Sequence, residues 1–195
     1  VPAARPPHKP DRVLASGADR MALLRAACAP DARLRPDDVE LAREGVSYSY
    51  ETACALRERF GEGVGLFYVI GADTLADLPH WRRIRELAAL VTFCPVSRPG
   101  WTLALAPLRQ VVEARDLARI RDHVVEVEPH PASSTAIREA LAAGRRPAGL
   151  PDAVYDEIVA RGLYGVPPSG SDPTPGTSSA SQSGASSSDR STGDS

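Results

Sequence analysis

The sequence predicts an α/β domain with a doubly wound parallel sheet, and three observations carry that prediction. Helix-period and strand-like segments alternate along the chain. The clearest strand-like segments are apolar throughout instead of alternating, as in parallel strands buried on both faces. Short Gly- or Ser-bearing turns follow them. In order, Val1-Pro2 reads as the end of a strand leading into Arg5-Pro6-Pro7-His8-Lys9. Residues 19–28 read as a helix with Met21, Leu24 and Cys28 on one face, and 32–41 as a short strand leading into a loop. Residues 51–60 read as a helix with Leu56 and Phe60 inward, closed by Gly61 and Gly63. The run Leu66-Phe67-Tyr68-Val69-Ile70, ending at Gly71, is expected to be buried on both faces. Residues 81–87 are predicted helical, 90–96 a further buried strand, 109–121 mainly helical and 124–127 a strand. Ser133 opens a short helix that directs Ile137, Ala140 and Leu141 toward a core and ends at Gly144. Pro151 at a first helical position and Gly162 just past the end bracket the last helix. A doubly wound domain seldom starts at the exit of a strand, so either the start is an unusual one or, as the fold class implies, an N-terminal strand–helix unit is missing.

Bulk composition narrows the function classes. The 195 residues allow one α/β domain over 1–166, followed from Pro167 by a Ser/Gly/Pro-rich tail over 167–195. That tail is too polar to offset the entropy of ordering it and is read as disordered. Hydrophobic residues make up 43%, enough for a core, and the net charge of -2 with pI near 6.1 gives no basic field for nucleic acid. No apolar run is long enough for a membrane span and the first residues show no secretory pattern, so a cytoplasmic chain is expected. Cys28, Cys54 and Cys94 have no metal-ligand spacing and are expected to be buried free thiols. The four histidines include no pair at helical ligand spacing, so no metal site is assigned.

Two segments suggest a site. Ser133-Ser134-Thr135-Ala136-Ile137-Arg138 places hydroxyl residues and free backbone N–H groups at a helix start. Arg138 lies one turn after Ser134 and can close on a phosphate. The same Ser-Ser-Thr also reads as an ordinary N-cap. Gly71-Ala72-Asp73 follows the central strand, on the rim where ligands of parallel sheets bind, and equally reads as a strand-end turn with a capping Asp.

Together these residues carry a family likeness. Pro6-Pro7-His8-Lys9 with Asp19-Arg20-Met21, the segment Gly45-Val46-Ser47-Tyr48-Ser49-Tyr50-Glu51-Thr52, and the block from Phe67 to Trp81 resemble bacterial nicotinate-nucleotide adenylyltransferases of the nucleotidyltransferase superfamily. Arg98-Pro99-Gly100, Ser133 to Arg138, Leu150-Pro151 and Gly162-Leu163-Tyr164 continue the likeness in order, from Val1 to Tyr164.

The resemblance implies a Rossmann-like fold and adenylyl transfer from ATP, with Mg²⁺, to nicotinate mononucleotide, giving deamido-NAD and pyrophosphate in NAD biosynthesis. It implies that Ser133, Ser134, Thr135 and Arg138 hold ATP phosphates and that Gly71 and Asp73 line the nucleotide pocket. Lys9 would approach the mononucleotide phosphate, Ser49 would stand near the pyridine carboxylate where the family has Thr, and Trp81 would stack on the nicotinate ring. Taken alone, Lys9 is also an ordinary solvated lysine and Trp81 an ordinary core anchor. Arg82 departs from the family, which often has an aromatic residue there. The family's Gly-x-Phe-Asp-Pro-x-His-x-Gly-His segment is absent, so no catalytic residue is assigned and impaired turnover is expected of the chain as given. A late gene start, a fragment and an inactive form are the explanations, in that order. The alternatives are a non-catalytic nucleotide-binding protein, or an adenylyltransferase of the same superfamily with another acceptor; Ser49 and Trp81 speak against the latter. A homo-oligomer is compatible with the sequence.

Overall fold

The computed structural model describes residues 1–5, 15–43, 45–97, 104–128 and 133–167. The elements run α1 (Gly17–Cys28), α2 (Ser49–Phe60), β1 (Phe67–Gly71), α3 (Ile84–Leu90), β2 (Thr92–Ser97), α4 (Ala114–Asp122), β3 (Val125–Glu126), α5 (Ser134–Ala142) and α6 (Asp152–Ala160). Short 3-10 turns lie at Ala72–Ala76, Leu78–His80, Ala106–Gln110 and Leu163–Gly165. The predicted α/β class stands: β1, β2 and β3 pair in that order, all parallel, with Phe67 opposite Thr92 and Val96 opposite both Gly71 and Val125. Parallel neighbours need a crossover, and α3 and α4 supply the two. Lys9, Arg98-Pro99-Gly100 and the tail beyond Pro167 lie outside the described residues.

Helices α3 and α4 cover one face of the sheet. Ile70 and Phe93 from the strands meet Ala53, Leu87, Ala88 and Ile120 from the helices in one core cluster. Leu75, Leu78, Leu87, Phe93 and Leu108 are fully enclosed there. Truncating any of those leucines to Ala should cost about 2–5 kcal/mol. Successive side chains of a strand point to opposite faces. Phe67 and Val69 therefore face away from that core, and they are 61% and 67% exposed. Burial on both faces thus holds for the centre of β2, where Phe93, Cys94 and Pro95 are all buried, and not for β1. The reason is that α1, α5 and α6 do not cover β1. They gather a second cluster around Leu141, Val154 and Ile158, which contains no strand residue.

Four other expectations change. Val1 and Pro2 belong to no strand among the described residues. Residues 32–41 form turns in place of a strand, because Asp31 and Asp37 bond the backbone N–H groups two residues on, at Arg33 and Val39. Phe60 is 53% exposed at the last turn of α2, where the Arg59 guanidinium lies over its ring. Cys28 and Cys54 are only half-buried; Cys94 is buried, which pushes its thiol pKa up, and all three are free. Among the described residues, no helix is long and apolar enough to cross a membrane.

Local chemistry fixes the helix ends. Ser16 caps α1 by accepting from the Asp19 N–H at 3.0 Å while its hydroxyl donates to the Asp19 carboxylate at 2.6 Å. Gly144 ends α5 as predicted: at φ +67° it adopts the left-handed conformation. Its N–H bonds Leu141 and that of Arg145 bonds Ala140, closing the helix in a Schellman motif.

Candidate functional site

A cleft of about 470 Å³ opens between the start of α2 and the turn before α3, lined by Ala3, Ser47, Tyr48, Ser49, His80, Trp81 and Arg82. Each wall has a structural support. Ser47 accepts hydrogen bonds from the backbone N–H groups of Ala4 (2.9 Å) and Arg5 (3.4 Å) and donates its own N–H to the Arg5 carbonyl at 3.0 Å. Arg20 of α1 donates to the Ala3 carbonyl as well, so the first residues of the chain are held as one wall. Ser49 shares a 2.9 Å hydrogen bond with the Tyr68 hydroxyl on β1. Behind Ser49, the buried Thr52 hydroxyl donates to Glu40 at 2.7 Å and accepts from Arg43 at 2.6 Å.

Trp81 is half-buried and packs on the core with its ring edge-on to Tyr68 (6.0 Å between centroids) and to Phe93 (6.4 Å). It therefore serves as a core anchor and as a cleft wall at once. It is not helical: the helix predicted over 81–87 begins only at Ile84, because Arg83 takes the left-handed conformation at φ 55°, ψ 41°. For a residue with a Cβ this costs roughly 1–2 kcal/mol. The contacts that hold it are visible. The Arg83 guanidinium lies over the Tyr50 ring, 3.9 Å from its centroid, and pairs with Glu86 at 3.1 Å. Glu86 is held below its ordinary pKa, first by its own backbone N–H and then by Arg83. One residue earlier, Arg82 lies 4.7 Å over the Tyr48 ring and 3.6 Å from Glu51. Two consecutive arginines thus stack on two tyrosines spaced two apart, and this double contact joins the two lips of the cleft.

The other predicted residues lie elsewhere. Gly71 ends β1 and Asp73 sits in the following 3-10 turn, its carboxylate accepting from the Thr74 N–H at 3.1 Å. A Cβ on Gly71 would fall 2.3 Å from that carboxylate, so glycine serves close approach there, not a positive φ. Ser133 is the N-cap of α5 and accepts from the Ala136 N–H at 3.1 Å. Ser133, Ser134 and Thr135 are exposed, while Ile137, Ala140 and Leu141 turn inward as predicted. Arg138 reaches back one turn to the Thr135 hydroxyl at 3.4 Å. The structure therefore brings Ser49 and Trp81 into one cleft; the described contacts join neither Gly71–Asp73 nor Ser133–Arg138 to it. Gly71, Ser97 and Glu126 are strand exits on one rim of the parallel sheet, from which the chain runs on to Asp73 and to Ser133.

Tyr48, Tyr68, His80 and Arg82 were not among the predicted site residues. Tyr48 and Arg82 carry a signal only jointly, since the meaning of either depends on a partner more than thirty positions away. Among the described residues, no three His, Cys, Asp or Glu side chains gather as a metal site.

Residues 1–140 match the Cytidylyltransferase-like family, which places the chain in the class of nucleotidyl-transferring α/β proteins. A curated relative from Solibacter usitatus, named "Probable nicotinate-nucleotide adenylyltransferase", is 40% identical over 156 residues, covering 79% of this chain and 76% of the relative. A relative of the same name from Shouchella clausii is 36% identical over 166 residues, covering 85% and 79%. The chain belongs to the nicotinate-nucleotide adenylyltransferase family. The fold also resembles that of the Plasmodium falciparum nicotinic acid mononucleotide adenylyltransferase complexed with NaAD, with a TM-score of 0.59 at 13% identity over 80% of this chain and 78% of that one.

Proposed function

We propose that this protein transfers the adenylyl group of ATP to nicotinate mononucleotide, giving deamido-NAD and pyrophosphate in NAD biosynthesis. The observation that carries this reading is the cleft between Ser47–Ser49 and His80–Arg82, with an indole, a tyrosine and a guanidinium on its walls, in a chain of this family. A pyridine ring that bears a carboxylate fits such a mixture of aromatic and cationic surface.

In this reading the Trp81 face packs on the nicotinate ring and the Ser49 segment faces its substituent. Lys9 approaches the mononucleotide phosphate. The ATP phosphates, and later pyrophosphate, lie against Ser133, Ser134, Thr135 and Arg138, with Gly71 and Asp73 beside the nucleoside. The divalent ion arrives as part of the substrate, as MgATP. The acceptor phosphate oxygen attacks the α-phosphorus while the bond to the bridging oxygen of pyrophosphate breaks. Such a reaction needs two anions brought together and charge neutralised at the phosphorus, so positioning and fixed dipoles supply most of what the protein contributes. The His-x-Gly-His pair does not occur in this sequence. The transfer step itself is therefore assigned to no residue here. We read the protein as a cytoplasmic enzyme.

The test is calorimetric titration with nicotinate mononucleotide and with deamido-NAD, beside a pyrophosphate-release assay with MgATP. Saturable binding of both, each displacing the other, is the expected outcome. A chain that binds neither contradicts the reading.

A further inference from the structure

Arg82 is the feature of the cleft that the family pattern leaves without a role. Among the described residues that line the cleft, its guanidinium is the one permanently charged group, and none of them is a carboxylate. It is held from behind on two sides, over the Tyr48 ring at 4.7 Å and by Glu51 at 3.6 Å from Nε. Neither contact uses up the fork of N–H donors. The stacking occupies a face of the plane, and 3.6 Å is beyond hydrogen-bond length. Among the described residues, Arg82 makes no hydrogen bond. The left-handed turn at Arg83 fixes this orientation, since it holds α3 back to Ile84 and leaves residues 81–82 to line the cleft.

We propose that Arg82 is the specificity-determining residue for the substituent on the acceptor's ring: its guanidinium, braced on Tyr48, pairs with the ring carboxylate and selects nicotinate over nicotinamide mononucleotide. This rests on the adenylyltransferase reading given above. The chemistry is asymmetric. A carboxylate offers two anionic acceptors to the arginine fork. A carboxamide offers one neutral acceptor and an NH₂ donor that faces other donors unproductively. Glu51, half-buried at 3.6 Å from Nε, braces the guanidinium from behind without taking up its N–H donors, so the fork stays available to a ligand carboxylate. Arg82 is 56% exposed, so the contrast belongs at the lower end for a charged hydrogen bond, about tenfold in affinity.

The experiment titrates the full chain and Arg82→Met with nicotinate mononucleotide and nicotinamide mononucleotide by calorimetry, with thermal melts as the folding control. The expected result is an acid preference in the parent that collapses in Arg82→Met through about tenfold weaker binding of the acid, the amide changing less than about twofold. Arg82→Lys should keep part of the preference, and it replaces Arg82→Met if the latter does not fold. An unchanged acid-to-amide ratio overturns the proposal. So does equal weakening of both ligands, which would place Arg82 on the phosphate they share or make it structural. A parent that binds both mononucleotides without preference overturns this inference and leaves the adenylyltransferase reading standing. A parent that binds neither ligand defeats both.

Discussion

In the cleft, three lining groups that chemistry would use are fastened from behind: Trp81 by Tyr68 and Phe93, Ser49 by the Tyr68 hydroxyl, Arg82 by Tyr48 and Glu51. At the start of α5, Ser133, Ser134 and Thr135 are exposed, and among the described residues the bonds of this segment run within one helical turn, Ser133 to Ala136 and Arg138 to Thr135. The cleft is preorganised, so a ligand there pays little ordering cost, whereas an anion at α5 must fix exposed side chains as it binds. The two regions should therefore respond to mutation in opposite ways. Changes in the cleft should cost stability and acceptor binding together, and changes at α5 should separate the two.

The largest effect is expected at Trp81. Trp81→Ala removes an indole that is half core, so the loss in urea unfolding should be about 2 kcal/mol, below the range for a fully buried Trp. Binding of nicotinate mononucleotide should fall by about tenfold or more, beyond what lost burial alone explains, with ATP binding spared. If both ligands weaken equally, Trp81 is only a core anchor and the cleft is not the acceptor site.

Smaller and opposite effects are expected at α5. Arg138→Ala should leave stability within about 0.5 kcal/mol while ATP affinity drops by about tenfold. Ser133→Ala should instead cost about 1 kcal/mol of stability through the lost cap. Unchanged ATP affinity in Arg138→Ala would reduce the Ser133–Arg138 segment to an ordinary capped helix and would end the contrast between the two regions.

What could be read from the sequence follows the same division. Short apolar runs located β1, β2 and β3, and helical spacing located α5 with its Gly144 end, because these depend on residues close together in the chain. The burial of β1 could not be read that way. The apolar run 66–70 shows that two faces are suited to burial, but whether a helix lies on each is decided by where α1, α5 and α6 pack. Ser49 and Trp81 were recognisable through likeness to a family, yet the cation–π pairs that position their neighbours depend on Arg83 adopting a left-handed turn. Residue type gives no warning of that, since Arg is not a residue that favours positive φ. The 32–41 error had a local cause: the Asp31 and Asp37 side chains bond the backbone as readily as a strand neighbour would.

The smallest expected effect tests whether the two regions are coupled. Helix α1 touches both: Arg20 holds the Ala3 carbonyl on the cleft wall, and Asp19 pairs at 3.0 Å with Arg161 just past α6, the helix whose Val154 and Ile158 pack with Leu141 of α5. Asp19 is held below its ordinary pKa, first by the Ser16 hydroxyl and then by Arg161. A carboxylate with a folded-state pKa below its unfolded value stabilises the fold above the unfolded value, and that contribution disappears as pH falls through the folded value. Asp19→Asn should therefore lower the melting temperature modestly at pH 7, and the difference should begin to shrink only below about pH 4, the ordinary range of an aspartate, and disappear as pH falls on through the lower folded-state value. Because the pair is partly exposed, added salt should shrink the difference at pH 7 as well. If α1 couples the regions, the same variant should also weaken nicotinate mononucleotide, although Asp19 does not line the cleft. A melting difference without any change in acceptor binding would mean that the braced cleft stands independently of the cluster formed by α1, α5 and α6.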